Sequence, residues 1–285
     1  MSREQTLEWE RSHALAAALF AFAAAVLFIA ATIASQSGPV SPSTTTELLR
    51  EYYDVRGTML LAAALNAIAL FCFAPPLYYL FRAASARSPS VRRGLVGIVV
   101  IGPIFLGTAE ILQYLALSSA ASDFNTPGGG SGIPIGTYAE DLIQDQATFG
   151  IAQGLSFAGV IAFVIGVIYT SLWAMRTGLV TRFFGTFGMA LGASLILLAQ
   201  AFSLLALMLW MVWLGLIFLA KVPGRRAPAW DAGEAIPWPK PGEEPAPRSE
   251  PDAIEGEATE LPAADENPNA ARRERAKRRK RKRRQ

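Results

Sequence analysis

Glu110 is the one acidic side chain inside a long apolar run of this chain, and three amide side chains, Asn66, Gln113 and Gln153, sit in comparable runs. An ionisable group at membrane depth costs about 2.5 to 3.5 kcal/mol on insertion scales, so its presence marks a candidate site for a proton or a cation. Asn66 lies eight residues past Thr58, Glu110 eight before Ser118 with Gln113 on the adjoining turn, and Gln153 five past Thr148. With a helical rise of 1.5 Å per residue, Asn66, Glu110 and Gln153 share a level about 8 to 12 Å below one membrane face. A polar pocket open to that face, with Glu110 binding the proton or cation and the amides orienting it, is the alternative reading, as a small coupled transporter or sensor, to that of a non-catalytic membrane protein whose basic tail contacts anionic partners. A protonated Glu110 that only hydrogen-bonds neighbouring helices, or one that reaches water through a loose vestibule, satisfies the same spacing.

Little else in the chain suggests a reaction. His13 is the single histidine, so no histidine cluster can hold a metal. No nucleophile–base pair, phosphate loop or dinucleotide fingerprint occurs; GGGSG at 128–132 follows no expected strand and reads as a flexible loop. An embedded enzyme would have to combine Glu110 with Asp141 or Asp145. The expectation is therefore no catalytic residues, no metal and no cofactor. Cys72 is the lone cysteine, inside an apolar run, and reads as a small buried hydrophobe.

The elements that would position these side chains follow from the apolar runs. With 52% hydrophobic and 17% charged residues, the chain departs from globular composition in the membrane direction. A hydrocarbon core roughly 30 Å thick needs about 20 apolar helical residues. Residues 14–35, 58–81, 94–117 and 149–175 each meet that length, whereas Phe183 to Ala220 runs 38 residues without a charge and fits two short spans, 183–200 and 203–220. The expected fold is all-α: a polytopic transmembrane bundle of six helices over residues 1–221, followed by a disordered cytoplasmic tail, 222–285. The first run reads as an uncleaved anchor, because Arg3 and Arg11 are outnumbered by Glu4, Glu8 and Glu10 and the apolar core exceeds that of a signal peptide.

Arginine sets the orientation. The connection 82–93 carries Arg82, Arg87, Arg92 and Arg93, and 176–182 carries Arg176 and Arg182, while 118–148 has Asp123, Glu140, Asp141 and Asp145 and no Lys or Arg. An even number of crossings with both termini cytoplasmic, in a plasma membrane, fits this alternation. A net charge of +3 hides a further asymmetry, since sixteen of the 26 Lys and Arg lie in residues 221–285.

Local signals refine the layout. Thr44 followed by Glu47 has capping-box spacing and predicts a short surface helix over about 45–55. Thr137 and Glu140 repeat the spacing after the glycine-rich loop and predict a helix that runs on through Asp141 and Asp145 into the membrane. Gly150, Gly154, Ala158, Ala162 and Gly166 recur every four residues and put small side chains on one face, for packing within the bundle or as the seam of a homo-oligomer. Gly188 and Gly192 give the next run a shorter version. Pro75, Pro76 and Pro103 should kink or open their helices. Residues 223–268 are too poor in large apolar side chains to offset ordering entropy, and Trp230 and Trp238 read as interfacial anchors.

The tail ends in Arg272, Arg273, Arg275, Lys277, Arg278, Arg279, Lys280, Arg281, Lys282, Arg283 and Arg284. Tethered to a bilayer, such a cluster is expected to contact anionic lipid head groups, each cation contributing about 1 kcal/mol near the surface. RNA is the alternative partner, bound without sequence readout because no aromatic interleaves the cations. A solvated tail that only fixes topology would carry the same charge.

Two stretches carry a resemblance. WAMRTGLVTRFFGTFGMALG, Trp173 to Gly192, resembles the inner turn between helices four and five of uncharacterised six-helix bacterial membrane proteins of the domain-of-unknown-function type, and GRRAPAWDAGEAIPWP, Gly224 to Pro239, is similar to the segment after the final span in their high-GC Gram-positive members. The resemblance implies the six-helix layout across residues 10–239 and no catalytic residues; the extreme basic terminus departs from the pattern.

Overall fold

A computed structural model describes residues 2–39, 42–127, 134–197, 200–222 and 226–238, the side chains of 197 and 200–203 excepted. The described residues fold into helices only: α1 (Arg3–Ser35), α2 (Thr45–Phe71), α3 (Ala74–Arg87), α4 (Val96–Phe124), α5 (Ile135–Gln144), α6 (Ala147–Arg176), α7 (Arg182–Leu197), α8 (Gln200–Phe218) and α9 (Ala229–Ala232). Among the described residues, four helical stretches are long and apolar enough to cross a membrane: Arg3–Ser35, Thr45–Arg87, Arg93–Phe124 and Ala147–Arg176. The last apolar run carries two helices, α7 of 16 residues and α8 of 19. At 1.5 Å per residue, α7 is about 24 Å long, shorter than the hydrocarbon core.

The arginine-rich connections gather at one end of the bundle, the basic end. There Arg87 pairs with Glu10, the Arg92 N–H donates to the Tyr169 hydroxyl at 2.9 Å, and Trp230 Nε1 donates to the Leu179 carbonyl at 2.8 Å. The α5 end carries a second, smaller core of Leu49, Tyr52, Ala120, Ala121 and Ala139, where one end each of α2 and α4 meets α5.

Helix boundaries follow local chemistry, with two corrections to the sequence reading. Thr44 Oγ1 accepts from the Glu47 N–H at 3.2 Å as the spacing implies, and the Glu47 carboxylate reaches back to the N–H and hydroxyl of Ser43. The helix so capped is not a short surface element, however; it continues unbroken to Phe71. Gly57, the residue of lowest propensity on the way, costs only about 1 kcal/mol relative to Ala, too little to stop it. The predicted entry of Asp141 and Asp145 into a span is also replaced: α5 is a separate helix beginning after Pro134 with no side-chain cap, and α6 starts afresh at Ala147. Ala139 is fully buried while Glu140, Asp141 and Asp145 are exposed, so α5 lies along the surface on its apolar side. Pro75 and Pro76 occupy the first turn of α3 behind the break at Cys72–Phe73, whereas α4 continues through Pro103.

Glycine sets the closest helix crossings. A Cβ on Gly102 of α4 would stand 2.5 Å from the Phe163 nitrogen of α6, and one on Gly159 would meet the Leu106 nitrogen at 3.0 Å. The four-residue stripe is only partly used: Gly166 packs on Val99, but Gly150, Gly154 and Ala158 are exposed with open space around both glycines. The contact surface of α6 instead runs through Ala152, Gly159 and Phe163 and joins the stripe at Gly166. On α7, Gly188 packs against Ser171 and Trp210, and Gly192 against Ile168, as their spacing implies.

The expected boundary of the disordered tail at 222 is corrected as well. Residues 226–238 pack back on the basic end: α9 is buried through Ala229 and Trp230, the Ile236 N–H donates to the Thr177 carbonyl at 3.2 Å, and Trp238 Nε1 donates to the Val180 carbonyl at 2.7 Å. Gly178, at φ +77°, leaves the room this requires, since a Cβ there would lie 2.0 Å from the Ile236 carbonyl oxygen. Composition averaged over a Pro- and Glu-rich stretch hides these few aromatic and aliphatic anchors. Residues 239–285, with the whole basic cluster 272–284, lie outside the described residues.

Candidate functional site

Asn66 and Glu110 meet because α2 and α4 approach closely one turn away. A Cβ on Gly107 would be 2.5 Å from the Phe71 ring and 2.9 Å from the Ala67 carbonyl oxygen, so glycine at that point lets the two backbones draw together. Asn66 Oδ1 is buried with no partner among the described residues. Asn66 and Glu110 line a cavity of about 330 Å³ between α1, α2 and α4, together with Gln113, Tyr52, Tyr114, Thr32 and Ser35. Among the lining residues Glu110 is the only carboxylate, and none carries a positive charge.

Oxygen dominates the polar wall. The hydroxyls of Thr32 and Ser35 donate to the carbonyls of Phe28 and Thr32 at 2.9 and 2.8 Å, which leaves their oxygen lone pairs turned to other uses. Tyr114 donates to the Arg56 carbonyl at 3.3 Å, tying the rim of the cavity to α2. A carboxylate with amide and hydroxyl oxygens is the ligand set of a hard cation or a proton.

No family model, curated protein or solved structure matches the chain.

The structure brings Asn66, Glu110 and Gln113 together but not Gln153, which is exposed on α6 and absent from the cavity wall. Depth alone placed Gln153 on the same level; its direction around the helix axis separates it. Asp141 and Asp145 are likewise exposed and do not line the cavity, so they form no acid pair with Glu110. Among the described residues no group of three or more His, Cys, Asp or Glu could hold a metal ion. His13 is exposed and stacks on Trp9 at 4.8 Å between ring centroids.

A second polar cluster, at the basic end, was not singled out from the sequence. Glu10 is 4% exposed and Arg87 8%. Arg87 Nη2 donates to Glu10 Oε2 at 3.0 Å and to the Ala229 carbonyl at 2.9 Å, and Nε donates to that same carbonyl at 3.1 Å. The Tyr79 hydroxyl donates to the Glu10 carbonyl at 3.0 Å. Trp230 is 2% exposed and stacks on Tyr79, with the Arg226 guanidinium 4.4 Å above its ring. Trp230 is therefore a buried anchor of the returning segment and not an interfacial one. Glu10 and Arg87 read in sequence as flanking charges, and only their fixed positions at the ends of apolar helices hinted that they could pair.

Proposed function

We propose that the chain is a multi-pass plasma-membrane protein without catalytic activity, which binds a proton or small monovalent cation in the Glu110 cavity as a small coupled transporter or sensor. The observation that carries the reading is a cavity walled by one carboxylate, two amides and several hydroxyls, with no positive charge among its lining residues. Placing the basic end in the cytoplasm opens the cavity toward the outside, and α7 and α8 then complete six crossings, in line with the arginine distribution. The layout resembled by Trp173 to Gly192 agrees with that count. The tail 272–284, on the cytoplasmic side, contacts anionic lipid or RNA through its charge density.

Dicyclohexylcarbodiimide, which modifies protonated carboxyls in apolar surroundings, tests the cavity in protein reconstituted into liposomes. Mass spectrometry is expected to find Glu110 modified, with modification falling as pH rises or when lithium, sodium or potassium occupies the site, and Glu110→Gln is expected to keep its unfolding midpoint. Failure to modify Glu110 at any pH, or modification indifferent to both pH and cation, overturns the reading.

A further inference from the structure

A groove of about 400 Å³ lies between α7 and α8 where they reach the basic end. Phe183, Phe184 and Phe187 of α7 and Leu209, Trp210 and Trp213 of α8 form its walls, and Arg226 is the only charged residue that lines it. Its outer wall is open: Phe183 is 79% exposed, Leu209 65% and Trp213 42%, on helices apolar along their length. Leu209 lies nine residues before the end of α8, so the groove runs about 13 Å along the helix at 1.5 Å per residue. That is the reach of an acyl chain from the head-group level into the hydrocarbon.

Arg226 fixes the polar end. Its guanidinium is held over Trp230, and Nη2 makes a long hydrogen bond of 3.4 Å to the Phe218 carbonyl, while Nε is buried and has no partner among the described residues. Burial pushes the Arg226 guanidinium down from its ordinary value, opposed by Tyr79, Asp231 and Glu10. An arginine stays charged even so, and a guanidinium that lines the groove offers charged N–H donors to a phosphate oxygen there. A zwitterionic lipid would bring its own cation beside Arg226; an anionic one would not.

We propose that this groove binds an anionic phospholipid of the leaflet at the basic end, with an acyl chain among Phe183, Phe187 and Trp213 and the phosphodiester on Arg226. The site is separate from the Glu110 cavity, and no tail residue is among those that line it. Lipids with brominated acyl chains quench tryptophan at contact, and Trp210 and Trp213 stand in the groove as reporters. In the full chain in mixed micelles, brominated phosphatidylglycerol is expected to reach half-quenching at about fivefold lower mole fraction than brominated phosphatidylcholine, the factor one favourable charge contact gives. Arg226→Gln is expected to bring the two lipids together, and a variant lacking 272–285 to keep the preference. Inorganic phosphate added to the wild type is expected to leave quenching unchanged. Equal quenching by the two lipids in the wild-type chain overturns the proposal without any variant. So does a preference that survives Arg226→Gln or vanishes with the tail, and displacement by phosphate alone would make the ligand a free anion.

Discussion

Arg87 shows how much one side chain can hold at the basic end. It joins α3 to Glu10 of α1 and, through two N–H groups, to the Ala229 carbonyl of the returning segment. Removing one partner of a buried ion pair strands the other, so Arg87→Ala is expected to cost about 3 to 5 kcal/mol, read as a lowered unfolding midpoint in detergent. The double replacement Glu10→Gln with Arg87→Met should cost less than Arg87→Ala alone, because no charge is then left buried and unpaired. Equal losses would mean that the contacts with Ala229, and not the pairing, carry the stability. At this scale the sequence revealed the cost of a residue better than its neighbours. Glu110 stood out because a carboxyl within an apolar run is expensive wherever it points, and Asn66 and Gln113 followed from depth. Gln153 did not belong, since depth along a helix says nothing of azimuth.

At the scale of helices, the glycines divide into those that set crossings and those that do not. Gly102 meets the backbone of Phe163, which cannot withdraw as a flexible side chain would. Gly102→Ala is therefore expected to destabilise by about 1 to 3 kcal/mol through overpacking. Gly154→Ala meets nothing within 4 Å and should be neutral or stabilising, gaining up to about 1 kcal/mol of helix propensity. Unfolding midpoints of the two variants check this, and a costly Gly154→Ala would mean that its face is covered by another molecule. Spacing alone had favoured the regular stripe from Gly150 to Gly166, yet packing chose Gly159, which meets Leu106 on another helix. A four-residue recurrence identifies a face that can be approached closely; it does not say which neighbour approaches. The apolar runs were legible because length and hydrophobicity act locally, whereas the separate α5 and the continuous α2 depended on tertiary burial of Ala139 and Leu49.

For the whole molecule, the proposed topology makes the arginine-rich connections cytoplasmic and the α5 end external. Cys72 is buried at 7% exposure, so cysteines introduced singly can report sidedness above a low background. A membrane-impermeant maleimide applied to intact cells is expected to label Thr126→Cys and to spare Ser90→Cys until the membrane is opened; the reverse pattern would invert the orientation. The return of residues 226–238 also bears on how such a chain comes off the ribosome. Arg87 and Glu10 are made early, but the carbonyl that completes their hydrogen bonding belongs to Ala229, translated more than a hundred residues later. A product truncated before that point would hold its helices yet leave the guanidinium incompletely satisfied and the Tyr79 ring without Trp230, a defect that membrane proteases could recognise. The basic end thus cannot close until Ala229 has been made.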